Sequence, residues 1–271
     1  MLTVCSFNIN GIRARQHQLE ALRAGLDPDI LGLQESKVAD AEFPVEAVER
    51  LGYRPCFHGQ KGHYGVALLS KRAPLEIQKG LPGEPPDAQR RVIVGRYGLD
   101  GAELTVVNGY FPQGESRAHP TKFPGKARFY ADLAGYLRTC CSPDRPLVVM
   151  GDMNVAPRDP DIGIGPDNAR RWLREGKCSF LPEERGWLET LTDWGLYDAF
   201  RLAHPDIDDR FSWFDYRSKG FEREPRRGLR IDLILVTAPL KERLLEAGID
   251  YGVRAMERPS DHCPVWARFD L

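Results

Sequence analysis

The residues of this chain best suited to chemistry lie at the ends of short apolar runs. Residues 147–154 read LVVMGDMN: four apolar residues, a glycine, then Asp152 and Asn154 at alternate positions. Alternate residues of a strand share a face. An aspartate able to accept a proton would therefore stand beside an amide able to donate a hydrogen bond. The pattern recurs. Val4–Phe7 leads to Asn8 and Asn10, Ile30–Leu33 to Gln34 and Glu35, and Leu104–Val107 to Asn108 and Tyr110. Asp232 lies between Ile231 and Leu233, while Ser260, Asp261 and His262 precede Val265–Phe269. Asp and Asn are poor strand residues, and one such ending alone would read as turn chemistry. Repetition at so many strand ends points instead to a shared edge. Glu35, Asp152, Asp232 and Asp261 gathered there would need a counter-charge. Abundant oxygen ligands without a Cys/His cluster favour a hard divalent cation, Mg²⁺ with Mn²⁺ as a substitute, over zinc.

The elements that must position these residues are strand-like runs rich in Val, Ile and Leu, bounded by Gly, Pro, Asn or Asp. Besides those named above they include Val66–Leu69, Val92–Val94, Leu147–Met150 and Ile231–Val236. Apolar residues spaced by three and four predict helices over Gln18–Ala24, Val45–Leu51, Ala127–Cys140, Asn168–Glu175 and Glu183–Trp194. Pro239 starts a last expected helix through about Ala247, stopped by Gly248. Strand runs extend from end to end without a linker, so residues 1–271 read as one α/β domain. Helix-separated strands mixed with closely spaced pairs suggest two packed sheets covered by helices, not one doubly wound sheet. FNIN and LQES in the first half echo VNGYF, VMGDMN and PSDH in the second. The echo suggests two half-sandwiches meeting edge to edge.

Composition narrows the function classes. A chain of 271 residues that is 42% apolar can bury a large core, which argues against wholesale disorder. A net charge of −1 argues against a general polyanion binder but leaves room for a local basic face. No apolar run approaches the roughly 20 residues of a membrane span, and the N-terminus lacks the pattern of a signal peptide. Six cysteines without a CxxC read as free thiols in a reducing compartment, consistent with a cytoplasmic protein.

From SFNINGIRAR to PSDHCPVW the sequence resembles the bacterial exodeoxyribonuclease III family of the endonuclease/exonuclease/phosphatase superfamily. LQESKV, GQKGHYGVALLSK, QRRVIV, NGYFPQGESR, GDMNVAP, DIGIG, WLREGKCSFLPEER, DRFSWFDYRSKGF, RGLRIDLIL and PSDH carry the resemblance. GDMN and SDH mark only the superfamily. NGYFPQGESR and RFSWFDYRSKGF are narrower and favour its DNA-repair branch. The resemblance implies a four-layered α/β sandwich in which two packed mixed β-sheets are flanked by helices. It also implies a Mg²⁺-dependent hydrolase: an abasic-site endonuclease, a 3′→5′ exonuclease on duplex DNA and a 3′-phosphatase or phosphodiesterase.

Residue by residue, the resemblance makes Asp152 the activator of the attacking water and Asn154 the amide that steadies charge on the phosphate. Glu35 is the principal metal ligand, with Asn8 and Asp261 as auxiliaries and Asp152 and Asn154 at the same centre. Asp232 and His262 form a dyad in which the carboxylate fixes the tautomer and favours the charged imidazole. His17, His58, His63, His119 and His204 carry no such context. Tyr110 contacts the phosphate near the leaving group. Expected DNA contacts are Asn10, Arg91, Gln113, Lys122, Trp213, Phe214 and Leu229. Trp213 and Leu229 would line a pocket that accepts a base-free deoxyribose and resists a base. Gly59–Gly62, Gln89–Arg91, Arg117, Lys122, Lys126 and Arg217–Lys219 are candidate phosphate-tracking groups on one rim. Duplex DNA bearing abasic sites or 3′ ends is the expected partner, and a monomer the expected state. The competing readings are a superfamily phosphatase acting on inositol lipids or sphingomyelin, and a non-catalytic DNA-binding module. Pro225, Arg226 and Arg227 lengthen the loop before Leu229, so the balance of endonuclease and exonuclease activity stays open.

Overall fold

The structure is a computed structural model and describes residues 1–99 and 101–271. Its strands are β1 (Leu2–Asn8), β2 (Ile30–Gln34), β3 (Arg54–His58), β4 (Val66–Ser70), β5 (Glu76–Lys79), β6 (Val92–Leu99), β7 (Ala102–Tyr110), β8 (Leu147–Asp152), β9 (Tyr197–Asp198), β10 (Asp232–Val236), β11 (Leu244–Ile249) and β12 (Val265–Phe269). Its helices are α1 (Gln16–Ala24), α2 (Val45–Arg50), α3 (Lys122–Cys140), α4 (Pro166–Glu175), α5 (Pro182–Asp193), α6 (Ala199–Ala203), α7 (Ala238–Lys241) and α8 (Tyr251–Arg254). Among the described residues the strands form two six-stranded sheets, ordered β11-β12-β1-β2-β4-β3 and β5-β6-β7-β8-β10-β9. No helix among them is long and apolar enough to cross a membrane.

Each sheet is built around one parallel pair, β1–β2 in the first and β7–β8 in the second, with antiparallel neighbours outside it. The sequence echo is therefore real, since the ends of β1 and β2 correspond to those of β7 and β8. The expected edge-to-edge meeting is corrected. The sheets stack face to face, and Val4, Val66, Leu68, Val106, Val148, Met150 and Ile234 fill the seam between them. The first sheet is not made of the first half alone, because β11 and β12 return from the far end of the chain to pair with β1.

Outside the seam lie two further cores. Tyr130, Leu133 and Leu137 of α3 and Leu188 and Leu191 of α5 cover the second sheet through Val107, Val149 and Leu235. Leu19 and Leu22 of α1 and Val48 of α2 cover the first through Cys5, Phe7 and Leu33. The result is the expected four-layered arrangement of helices, sheet, sheet and helices. α4 stops because Gly176 adopts the left-handed conformation (φ +67°) and its N–H closes onto Leu173 and Trp172 carbonyls.

The expected helix from Pro239 to Ala247 is also corrected. α7 ends at Lys241, and Leu244–Ile249 forms β11. The stretch has good helix formers, but the free edge of β12 captures its backbone, with Ala247 opposite Ala267 and Ile249 opposite Val265. Ladder hydrogen bonds outweigh a propensity difference of a few tenths of a kcal/mol per residue.

The seam-facing register decides where the chemistry sits. Val148 and Met150 point into the seam, so Asp152 does too; Val4 puts Ser6 and Asn8 on that face, and Val106 does the same for Asn108 and Tyr110. Near its end the seam therefore changes from apolar to polar. Asn108 marks the change. Its Nδ2 donates to the Leu33 and Ala67 carbonyls of the opposite sheet at 2.9 Å, and its Oδ1 accepts from Gln34 Nε2 at 2.6 Å. Replacing Asn108 by Ala strips these buried groups of their partner and should cost about 2–3 kcal/mol. The check is a lower urea midpoint at an unchanged m-value.

Candidate active site

β8 delivers Asp152 under tight steric control. Gly151 lies opposite Gly109 in the parallel ladder, and a Cβ on Gly151 would fall 1.9 Å from the Gly109 carbonyl oxygen. Only glycine permits that approach, and it sets Tyr110 and Asp152 side by side as the next ladder pair. On the other flank Asp232 of β10 is the antiparallel partner of Asp152. From the facing sheet Asn8 reaches across, its Nδ2 donating to Glu35 Oε1 at 2.8 Å and Asp152 Oδ2 at 3.0 Å. One amide thus bridges carboxylates from two sheets. Asn8 Oδ1 in turn accepts the Asn10 backbone N–H at 3.1 Å.

His262 completes the group. Its Nδ1 lies 3.0 and 2.9 Å from the two Asp232 oxygens, and its Nε2 lies 3.8 Å from Asp152 Oδ2. Two serines fix this pair. Ser212 Oγ accepts from the Ile231 and Asp232 amides, and Ser260 Oγ donates to the Asn8 carbonyl and accepts from the His262 amide. Burial alone would push the imidazole towards neutrality. The Asp232 and Asp152 carboxylates outweigh it and raise its pKa to about 10. Asp152 goes the opposite way from an exposed carboxylate. Burial, followed by Asp232 and Glu35, raises it to about 7 against the opposing pull of His262 and Asn8. Tyr110 is pushed well above its ordinary value by burial and by the Glu35 and Asp152 charges, so it stays a phenol and a donor.

Glu35 sits just beyond β2 with φ +52°, and Lys37 Nζ is 2.9 Å from its Oε2. Glu35, Asp152 and His262 present ligand atoms within 4.8 Å of one another. Acidic oxygens this close, with one lysine as partial compensation, fit a hard cation held by Glu35 and Asp152. Asp261 stands apart from that trio. Asn10 Nδ2 and Trp213 Nε1 donate to its oxygens at 2.9 and 3.1 Å. Burial opposes its ionisation, but His262, Trp213 and Asn10 prevail and hold it below the usual carboxylate range. Asn154, at φ +53°, gives its backbone N–H to Asp152 Oδ1 and one amide proton to the Phe111 carbonyl. Its second amide proton makes no hydrogen bond among the described residues.

A cleft of about 710 Å³ opens beside these groups, lined by Glu35, Tyr64, Arg91, Tyr110, Gln113 and Lys122. The Arg91 guanidinium lies 4.4 Å from the Tyr64 ring centre and 4.8 Å from that of Tyr110. Lys122 is exposed and paired with Glu115 at 2.6 Å. Asn10 links Asp261 to Lys37. Trp213 forms a short ribbon with Leu229 on one side and His262 on the other. The ribbon is braced from below, where the buried Arg230 guanidinium donates to Asp161 and Asp198 at 2.7 and 2.6 Å.

The structure does not bring every expected DNA contact to the surface. Phe214 is fully buried, packed edge-on against Phe221 and Tyr251, and Leu229 lies in the core behind Trp213. Leu229 packs against Trp213, whereas Phe214 belongs to a separate cluster with Phe211 and Cys263. Lys126, expected on a phosphate-tracking rim, is wholly buried. No role was expected for Lys37, Ser212 or the Asp161–Arg230 brace, and Ser260 was singled out only as a polar strand-end residue. Only Lys126 carried a signal, since it lies four residues before the buried Tyr130 on the apolar face of α3.

Residues 5–262 match the family described as the Endonuclease/Exonuclease/phosphatase family. The chain is similar to Exodeoxyribonuclease III of Haemophilus influenzae, at 59% identity over 264 residues covering 97% of this chain and 98% of that protein. It is 29% identical to an exodeoxyribonuclease of Bacillus subtilis over 266 residues, covering 97% and 98%. An AP endonuclease from Archaeoglobus fulgidus superposes with a TM-score of 0.91 at 36% identity. The 3′ phosphatase NExo from Neisseria, bound to a product DNA hairpin, superposes with a TM-score of 0.89 at 37% identity. Each of these two structures covers 100% of both chains.

Because the folded state raises the Asp152 pKa, its contribution to stability is complete only below the ordinary carboxylate range. It is lost as pH climbs through about 7. Asp152→Asn should therefore raise the Tm of the metal-free protein at pH 8 by several degrees, at roughly 2–4 °C per kcal/mol. The gap should shrink at pH 5, where Asp152 already holds its proton. Calorimetry in EDTA at both pH values measures it.

Proposed function

The chain belongs to the endonuclease/exonuclease/phosphatase family, and from that premise we propose that it is a DNA-repair phosphodiesterase. It cleaves duplex DNA 5′ to abasic sites and removes nucleotides or blocking groups from 3′ ends. The whole of residues 1–271 acts as one catalytic domain, working as a monomer. One observation carries the reading. Carboxylates from both sheets, Glu35 and Asp152, are joined by Asn8 beside a cleft lined by Glu35, Tyr110 and Arg91. The names of the similar proteins, an exodeoxyribonuclease, an AP endonuclease and a 3′ phosphatase, support DNA as the substrate.

Glu35 and Asp152 are the side chains that would hold Mg²⁺ or Mn²⁺, with Asn8, Asn154 and Asp261 around them. When bound, such a cation supplies Lewis-acid polarisation of a phosphate oxygen. The remaining chemistry belongs to the chain. Asp152, with a pKa lifted towards neutrality, takes the proton of the attacking water. The water oxygen bonds to phosphorus as the bond to the 3′-oxygen of the preceding nucleotide breaks. The products are a 3′-hydroxyl and a 5′-deoxyribose phosphate. Asn154 donates its free amide proton to the developing oxyanion, and the His262 imidazolium, held by Asp232, faces the same charge. Tyr110 offers its phenol O–H as a hydrogen-bond donor near the leaving oxygen, which takes its proton from solvent water, and Arg91 stacks on the Tyr110 ring. Asn10, Arg91, Gln113 and Lys122 grip the backbone, which suits a protein with no overall positive charge. Trp213, backed by Leu229, offers an apolar wall to a sugar that lacks its base.

A duplex with one synthetic abasic site should be nicked in Mg²⁺ and left intact in EDTA. Asp152→Asn should lose at least about 10²-fold in rate while still binding the DNA; full turnover by that variant would refute its role as base. Glu35→Ala should shift the Mg²⁺ titration to higher concentration, and an unmoved midpoint removes Glu35 from the ligand set.

A further inference from the structure

Beneath the cleft is a buried ion pair for which the proposed chemistry has no direct use. Lys126 of α3 and Glu184 of α5 are both completely buried, with Nζ 2.5 Å from Oε1. Two charges removed from water this way seldom add net stability, and an apolar pair of similar volume often serves as well. The hydrogen bonds around them indicate another use. Lys126 Nζ also donates to the Asn154 carbonyl at 2.8 Å and reaches the Gln113 carbonyl at 3.3 Å. Glu184 Oε2 accepts the Ser179 and Leu181 amides at 2.8 Å, so α5 and the segment before it hold the carboxylate still. One ammonium thus ties together the segment after β8, the segment after β7 and the start of α5.

Asn154 is the residue that needs such a tie. Its backbone is left-handed at φ +53°, a region that costs a non-glycine residue roughly 1 kcal/mol or more. Its backbone N–H is bound to Asp152 and its side chain to Phe111, which leaves the carbonyl as the remaining handle. Lys126 holds that handle from within the protein, where it is wholly buried. Space around it is full, because a Cβ on Gly114 would lie 3.1 Å from Lys126 Cδ and 2.8 Å from Cys178 Sγ. The lysine stem is therefore closely packed beside Gly114 and Cys178.

We propose that the Lys126–Glu184 pair is a positioning device that fixes Asn154, and with it the Gln113 segment, for phosphodiester cleavage. Lys126 touches neither DNA nor cation; it acts through the Asn154 carbonyl. The proposal rests on the reading of Asn154 given above. Misplacing an aligned group by about 1 Å can cost on the order of 10²-fold in rate, and substrate binding, spread over the rim, should be little affected.

The test compares two neutral replacements, Lys126→Met/Glu184→Met and Lys126→Gln/Glu184→Gln, with the wild type on an abasic-site duplex. Each folded variant should keep an unchanged Mg²⁺ midpoint, and the Met pair should lose several degrees of Tm for the backbone groups left without partners. The kcat of each should drop on the order of 10²-fold, with KM within about threefold. In an Asn154→Ala background the same replacements should cause almost no further loss, since the group they position is gone. A folded variant with wild-type kcat, or losses that multiply with Asn154→Ala, would overturn the proposal. Absence of cleavage by the wild type would instead overturn the assigned function, so the two failures are distinguishable.

Discussion

The structure depends on holding like charges close together at the end of an apolar seam. Glu35, Asp152 and Asp232 lie at one edge of the sandwich, two of them buried. Left alone they would repel by several kcal/mol in such surroundings. The fold does not relieve this by separating them. It distributes partners instead: Asn8 bridges two carboxylates, His262 carries a positive charge against Asp232 and Asp152, and Lys37 leans on Glu35. Glu35, Asp152 and His262 at this edge offer atoms close enough together to hold a metal ion.

Rigid strands make this concentration possible. Period-two alternation commits every second residue of β1, β7, β8 and β10 to the seam, and the packing of Val4, Val106, Val148 and Ile234 fixes the register. A slip by one residue would turn Asp152 towards the helices. The two-sheet architecture thus orients the polar ends directly, and Gly109 and Gly151 bring β7 and β8 close enough for Tyr110 and Asp152 to meet.

This explains what could be read in the sequence. Runs such as LVVMGDMN encode both the strand and the direction of its last side chain, so the strand-end cluster was visible before any fold was known. Asp232 and His262 are 30 residues apart, and motif resemblance joined them. β11 was misread because helix formers in Leu244–Ala247 yielded to an unpaired β12 edge, a tertiary effect absent from local pattern. Phe214 and Lys126 were misplaced for a related reason. An aromatic in a turn-rich segment and a lysine on a helix both look exposed until the packing partner is known, here Tyr251 for one and Glu184 for the other. A lysine at a position that otherwise continues the apolar stripe of Tyr130, Leu133 and Leu137 signals burial.

Asn10, Glu35 and Asn154 all carry positive φ angles, between 48° and 53°. At each position the conformation and the side chain set opposing tolerances for replacement. Glycine would relax the backbone and remove the functional group, whereas a branched residue would suit neither. Asparagine and aspartate are the side chains that visit this region most readily while still offering polar atoms. Main-chain geometry by itself thus narrows the residues that positions 10 and 154 can hold.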